Sequence, residues 1–416
     1  MMVIYIAGDN GGTAIGGLNG TFNEWSNLNS APEDIPYLLS RLDEYGGPSS
    51  YPNYAVGWAM AGSTPATWCI NACQGGGKNQ GMLIRWPKRI NAKGEIRRQY
   101  THLIDIGPTI LEAVGIPEPK MVNGVEQIPM AGVTMSYLFD NANAKDRHIT
   151  QYNECSGNRS IYHDGWMACV MHRAPWEDHP RVDDYAKDKW ELYHVARDFG
   201  QATDLAAQNP GKLKQLQDLF HQEAIKYGVY PMDDRSFERL NATKAGRPDI
   251  MAGRTEMVLY AGMTGMAEKF IDTLSRSITI TADLGIPEGG AEGVVLSQGG
   301  LFGGWSLYVK DGKPKFACNW LAREKYYIES SEPMPAGKVT LVYDFTYDGG
   351  GLHKGGKGEL FINGRKVGEG RIGKTQGGCG PWLVRPQTWA WTPTRRSLTT
   401  MIRGTTSSLE RLKRSR

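Results

Sequence analysis

The sequence predicts an α/β segment over residues 1–232 followed by an all-β sandwich over residues 257–376. Strand-like and helix-like apolar patterns alternate through the first half. From about Met257 the pattern changes to short alternating runs bounded by glycine turns. Residues 233–256 between them are polar and broken by proline and glycine, the composition of a linker.

The α/β elements follow in order. Val3-Ile4-Tyr5-Ile6-Ala7 reads as a buried parallel strand that runs straight into Gly8-Asp9-Asn10-Gly11-Gly12. Pro32–Tyr45 is a helix with an acidic first turn, favourable at the positive end of its dipole. Gly81–Pro87 is a short buried strand stopped by proline. Asp105–Val114 is a helix, with Pro108 in its first turn and Gly115 ending it. Ser160–Met171 and Lys189–Tyr193 read as antiparallel strands. Gly211–Tyr227 is an amphipathic helix with Leu213, Leu216, Leu219 and Phe220 on one face. In the second half, strands are expected at Ser277–Asp283, Gly293–Ser297, Trp305–Lys310, Pro314–Asn319, Lys338–Tyr347 and Glu359–Asn363. Asp311-Gly312 and Asn363-Gly364 are hairpin turns between such runs.

Composition bounds the function. With 40% hydrophobic and 22% charged residues in 416, the chain is ordinary globular material. No apolar run is long enough to span a bilayer, so no membrane partner is expected. No signal-peptide pattern is visible, and the compartment, bacterial cytoplasm or periplasm, stays open. The net charge of +3 hides a tail, residues 377–416, that alone carries +7. The tail has no strand or helix period and includes three tryptophans. It reads as aberrant or disordered, with a shift of reading frame near Gln376, and no nucleic-acid partner is expected. Of six cysteines only Cys69 and Cys73 are close, without a second pair to complete a zinc site, so thiols are expected.

The chemistry concentrates at Asp9 and Asn10. In open α/β sheets ligands sit beyond the carboxyl ends of strands. Adjacent carboxylate and amide oxygens suit a hard cation such as calcium. The plain alternative is a turn after a strand. Two side chains fall short of the six to eight oxygens that calcium takes, so half of the site is expected elsewhere.

Residues 1–232 resemble the C-terminal part of the catalytic domain of bacterial arylsulfatases, in the alkaline-phosphatase-like superfamily. The pieces that carry the resemblance are VIYIAGDNGG, GGLNGTFNE, GMLIRWPKRI, HLIDIGPTILEAVGIP, GNRSIYHDGW and WELYHVARD, in that order. Residues 257–370 resemble the C-terminal sandwich of long members, and GGWSLYVKDGKPKF with GELFINGRKVGEG resembles a laminin-G or concanavalin-like jelly roll. The resemblance implies hydrolysis of sulfate esters by a formylglycine made in a C/S-x-P/A-x-R motif. It also implies a calcium cofactor, with Asp9 and Asn10 as the family's second pair of ligands.

The departures matter equally. The nucleophile motif, the first pair of metal-binding aspartates and the upstream Lys and His are absent, so no catalytic residue is assigned and a separate N-terminal half is a candidate partner. Cys155-Ser156-Gly157-Asn158-Arg159 has the spacing C-x-x-x-R, but Gly157 replaces Pro or Ala and the context is a strand pair, so Cys155 reads as a structural thiol. The Lys expected near Cys69 and Ile70 is missing, and Lys78 is the nearest cation. His163 and Asp164 read as a turn. Two other functions stand beside the sulfatase fragment: a non-catalytic glycan-binding or scaffold module, and a phosphate or phosphonate ester hydrolase of the same superfamily.

Overall fold

The computed structural model describes residues 1–8, 11–177, 185–235, 246, 248, 253–260, 262–263, 273 and 275–377, and the backbone of 399–404. Its strands and helices run β1 Val3–Ala7, α1 Glu24–Leu28, α2 Ile35–Ser40, α3 Val56–Gly62, β2 Gly81–Arg85, α4 Ile106–Val114, β3 Met121–Val122, β4 Val125–Glu126, β5 Thr150–Cys155, β6 Asn158–His163, β7 Trp166–Val170, β8 Trp190–Tyr193 and α5 Pro210–Lys226. There follow β9 Glu256–Tyr260, β10 Ile278–Ile286, β11 Gly293–Gly300, β12 Gly303–Lys310, β13 Lys313–Trp320, β14 Glu324–Glu329, β15 Gly337–Tyr347, β16 Gly356–Ile362, β17 Arg365–Ile372 and β18 Thr399–Gly404. The chain divides into two units, Met1–Ala14 with Ala55–Ser236, and Ile15–Tyr54 with Phe237–Arg416. Residues 15–54, taken from sequence as continuous with the α/β segment, thus group with the β-rich half.

In the first unit, β5, β6, β7 and β8 form an antiparallel meander in that order. Its hairpin turns use residues that tolerate positive φ: Ser156 and Gly157, then Asp164 and Gly165. Helix α5 starts after Asn209 with Pro210 at its first position and lays Leu216, Phe220 and Ala224 against Ile161, Ala168 and Leu192. Leu213 and Leu219 flank this contact, so the apolar stripe read from sequence is the buried face. Helix α4 ends at Gly115, which takes the left-handed conformation.

The opening strand differs from its expectation. β1 pairs antiparallel with β2, Tyr5 opposite Leu83, and these two side chains are 60% and 65% exposed. A run of β-branched and aromatic residues reports fitness for a pleated surface, and is silent on neighbours and direction. Both strands exist where expected; neither is buried, and no parallel partner is found among the described residues.

The second unit holds two antiparallel sheets, four-stranded β11-β12-β13-β14 and six-stranded β17-β16-β15-β10-β18-β9. One core lies between them, with Leu307, Phe316 and Ile328 from the first sheet meeting Ile280, Leu341, Tyr343 and Leu360 from the second. Phe316 stacks on Tyr343 with ring centroids 3.7 Å apart. All six expected strands are present. β14 and β17 were missed because their charged residues break the apolar alternation. β18 falls in the tail read as lacking strand character and pairs with β9 and β10. The rest of that tail beyond Gly377, like most of the linker 233–256, lies outside the described residues.

Residues 15–54 pack on this sandwich within the second unit. Trp25 is buried with Trp320 and Leu321, and Tyr51 stacks on Phe302 at 5.4 Å. Asn23 Nδ2 donates to Leu321 O at 2.9 Å. His353 Nδ1 accepts from Trp320 Nε1 at 3.1 Å, which leaves Nε2–H to donate to Asn29 O at 2.5 Å.

The cross-sheet stack yields a prediction. Phe316→Ala should cost the second unit about 3–5 kcal/mol, the usual range for a buried Phe. Tyr327→Ala, at a side chain 63% exposed on β14, should cost under about 0.5 kcal/mol. Urea unfolding of both variants checks this.

Candidate functional site

Gly11 and Gly12, which follow Asp9 and Asn10 in sequence, are held by backbone packing. Gly11 has φ +76, and a Cβ there would lie 1.7 Å from Gly76 O. A Cβ on Gly76 would lie 2.0 Å from Trp68 O, and one on Gly12 would lie 2.6 Å from Ala59 O. Only glycine allows three stretches of main chain to approach this closely. Hydrogen bonds close the junction: Gly12 N donates to Ser63 Oγ at 3.1 Å and Ile70 N donates to Gly12 O at 3.0 Å. Asp9 and Asn10 themselves lie outside the described residues. Among the described residues no three His, Cys, Asp or Glu come together as metal ligands. The calcium expectation thus rests on two residues that are not among those described.

The segment after this junction turns inward. Cys69 is fully buried with Ala14, Val56 and Ala59. Lys78, half-buried, donates from Nζ to Ser160 Oγ at 3.3 Å and touches Met167 Sδ at 3.1 Å. Burial pulls its pKa down, against the opposing influence of Cys73 and Cys169. Gln74 Nε2 donates to Glu191 Oε2 at 3.3 Å, and Gly75 N donates to Gln201 Oε1 at 2.5 Å. Lys78 thus faces β6 and β7. No side chain at Cys69 or Ile70 supplies the missing ammonium.

Asp105 is the group that sequence reasoning undervalued. It was read only as the start of a helix. Buried, its carboxylate accepts from His102 N at 2.8 Å, Val133 N at 2.8 Å and His148 Nδ1 at 2.8 Å. His148 Nε2 faces Gln151 Oε1 at 3.1 Å, whose own amide nitrogen donates to Tyr152 O. Both ring nitrogens of His148 therefore face acceptors, the arrangement that suits imidazolium. Burial raises the Asp105 pKa, but the His148, Val133 and His102 hydrogen bonds outweigh it and hold it below 3.8. Burial lowers His148, but Asp105 outweighs it and holds the pKa above 6.5. A His pairing 43 residues away leaves no local spacing signal.

Cys155 and His163 sit where the strand reading placed them. Cys155 ends β5 at a two-residue turn, and no helix follows. His163 Nδ1 meets Thr150 Oγ1 at 2.8 Å across the same hairpin.

Two predictions follow from this geometry. Gly76→Ala should destabilise the first unit by about 1–3 kcal/mol, as overpacking against main chain does. Gly57→Ala, with open space in helix α3, should be neutral or stabilising by about 0.5–1 kcal/mol. Chemical denaturation of the pair separates crowding from loss of glycine. The Asp105 contribution is full above pH 3.8 and is lost as pH falls through its lowered pKa. The His148 contribution is full below pH 6.5 and is lost as pH rises through its raised pKa. The Tm difference between wild type and Asp105→Asn should therefore be greatest between these two values and shrink on either side, as melting curves from pH 3 to 9 would show.

No protein-family model matches this chain. An uncharacterised sulfatase of Schizosaccharomyces pombe is 25% identical over 221 residues, 52% of this chain and 38% of that protein. The chain thus spans well under half the length of this curated relative. Among solved structures, Ps i-CgsB is 17% identical with a TM-score of 0.31, covering 42% of this chain and 36% of that one. A Bacteroides thetaiotaomicron structure from work on glycosaminoglycan metabolism (BT33336S-sulf) is 16% identical with a TM-score of 0.30, covering 48% and 42%. Superpositions of that quality carry no weight for fold or function. The sequence match does: about half of this chain is similar to a sulfatase.

Proposed function

We propose that this chain contributes the C-terminal part of a sulfuric ester hydrolase of the arylsulfatase type, in the alkaline-phosphatase-like superfamily. The observation that carries this reading is the 25% identity over 221 residues with a sulfatase. The ordered motifs from VIYIAGDNGG to WELYHVARD support it. Asp9 and Asn10, which follow β1 in sequence, are read as the calcium ligands of this part. The paired sheets of the second unit are read as a jelly-roll or laminin-G-like sandwich appended to the catalytic part.

The reaction needs more than these residues supply. The 416 residues contain no C/S-x-P/A-x-R sequence, so none becomes the hydrated aldehyde that attacks sulfur. Cys155 ends a strand at a hairpin, and Lys78 is turned towards Ser160 and Met167. What this chain does in the reaction is hold: the glycine junction at Gly11, Gly12 and Gly76 sets the base of the ligand-bearing loop. A nucleophile-bearing part of the fold, which these 416 residues do not supply, completes the site, and the substrate is a sulfate ester.

The purified chain should show no turnover of aryl sulfates, even when produced with a formylglycine-generating enzyme. Loss of a nucleophile alone costs several orders of magnitude, about 10⁶-fold in well-studied hydrolases. Addition of a nucleophile-bearing N-terminal half in trans should restore measurable hydrolysis. Hydrolysis by this chain alone, abolished by Cys155→Ala, would overturn the reading.

A further inference from the structure

Cys73 and Cys155, 82 positions apart in sequence, meet at the β5–β6 turn. Cys73 is buried, and its Sγ–H donates to Asn158 O at 3.2 Å. Asn158 is the residue paired with Cys155 across that turn. The Cys155 backbone amide also hydrogen-bonds the Cys73 sulfur. From the other side, Cys155 Sγ lies 3.8 Å from Asn71 Oδ1, two residues before Cys73. Asn158 Nδ2 donates to Asn71 O at 2.8 Å and clamps the two segments together. Each cysteine thus lies against the other's chain neighbours, the proximity that closing a disulfide needs.

We propose that Cys73 and Cys155 form an oxidation site, at which a small disulfide such as glutathione disulfide converts the two thiols into an intramolecular disulfide. The order of events follows from exposure. Cys155 is half-buried and Cys73 is not accessible, so the Cys155 thiolate attacks one sulfur of glutathione disulfide. A mixed disulfide forms and one glutathione thiolate leaves, taking a proton from water. Cys73 then gives its proton to water and attacks Cys155 Sγ, expelling the second glutathione. Two protein thiols and one glutathione disulfide thus become one protein disulfide and two glutathione thiols.

The second step is the slow one. Burial pushes the Cys73 thiol up to about 12, against the pull of Lys78 and of the Cys155 amide. Its thiolate fraction rises about tenfold per pH unit below that value, and the closing step should accelerate in proportion. The product would tie the segment before Lys78 to the β5–β6 turn.

The test uses the full reduced chain, incubated with glutathione disulfide at pH 7, 8 and 9 without denaturant. The reaction is quenched in acid, remaining thiols are alkylated, and the digest is mapped without reduction by mass spectrometry. The expected result is a Cys73–Cys155 linked peptide that appears about tenfold faster per pH unit, preceded by a glutathione adduct on Cys155. In Cys73→Ser that adduct should persist, and in Cys155→Ser neither species should form on Cys73. The proposal is overturned if the wild-type chain keeps a stable Cys155 adduct with Cys73 alkylated. It is overturned equally if Cys155 stays unmodified or links to another cysteine.

Discussion

Buried polar side chains that stand in for backbone pairing hold together the stretches of this protein that lack regular structure. A backbone group taken out of water must find a partner, and long irregular connections offer few. Asn158 solves this at the β5–β6 turn. Its Oδ1 accepts from His172 N and Arg173 N, and its Nδ2 donates to Asn71 O and Arg173 O. Asp105 performs the same service for His102 and Val133. In the second unit Glu33 does so, with Oε2 accepting from Phe22 N at 2.6 Å and Oε1 from Ser26 Oγ at 2.9 Å. Removing any one of them strands several donors together, because each serves more than one.

The same constraint explains why glycine dominates the junction beside Asp9 and Asn10. Where main chain packs on main chain, carbonyl oxygens occupy the volume a Cβ needs. The loop is set by exclusion of side chains on one side and by the Ser63 and Ile70 hydrogen bonds on the other.

Much of this was legible from composition and period. Helix α5 was readable because Leu213, Leu216, Leu219 and Phe220 repeat at helical spacing; of the meander, the strands within Ser160–Met171 and at Lys189–Tyr193 were readable, and β5 was not. Six of the sandwich strands were readable from alternation and from Asp311-Gly312 and Asn363-Gly364. Asp9 and Asn10 were singled out by their place after an apolar run. β14 and β17 escaped because Lys325, Glu329, Arg365 and Lys366 sit on exposed positions that dilute the period.

What the sequence by itself determined is local: where strands and helices form, where turns reverse, and which motifs carry a sulfatase resemblance. These depend on a few neighbouring residues, through side-chain periodicity and the φ preferences of glycine and proline. Tertiary structure alone decided the partners. β1 runs antiparallel to β2 and stays exposed, residues 15–54 pack on the sandwich through Trp25 and Trp320, and Asp105 finds His148. Strand direction, packing partner and buried-charge pairing are set by contacts between residues tens to hundreds of positions apart, and no window along the chain contains both members of such a pair.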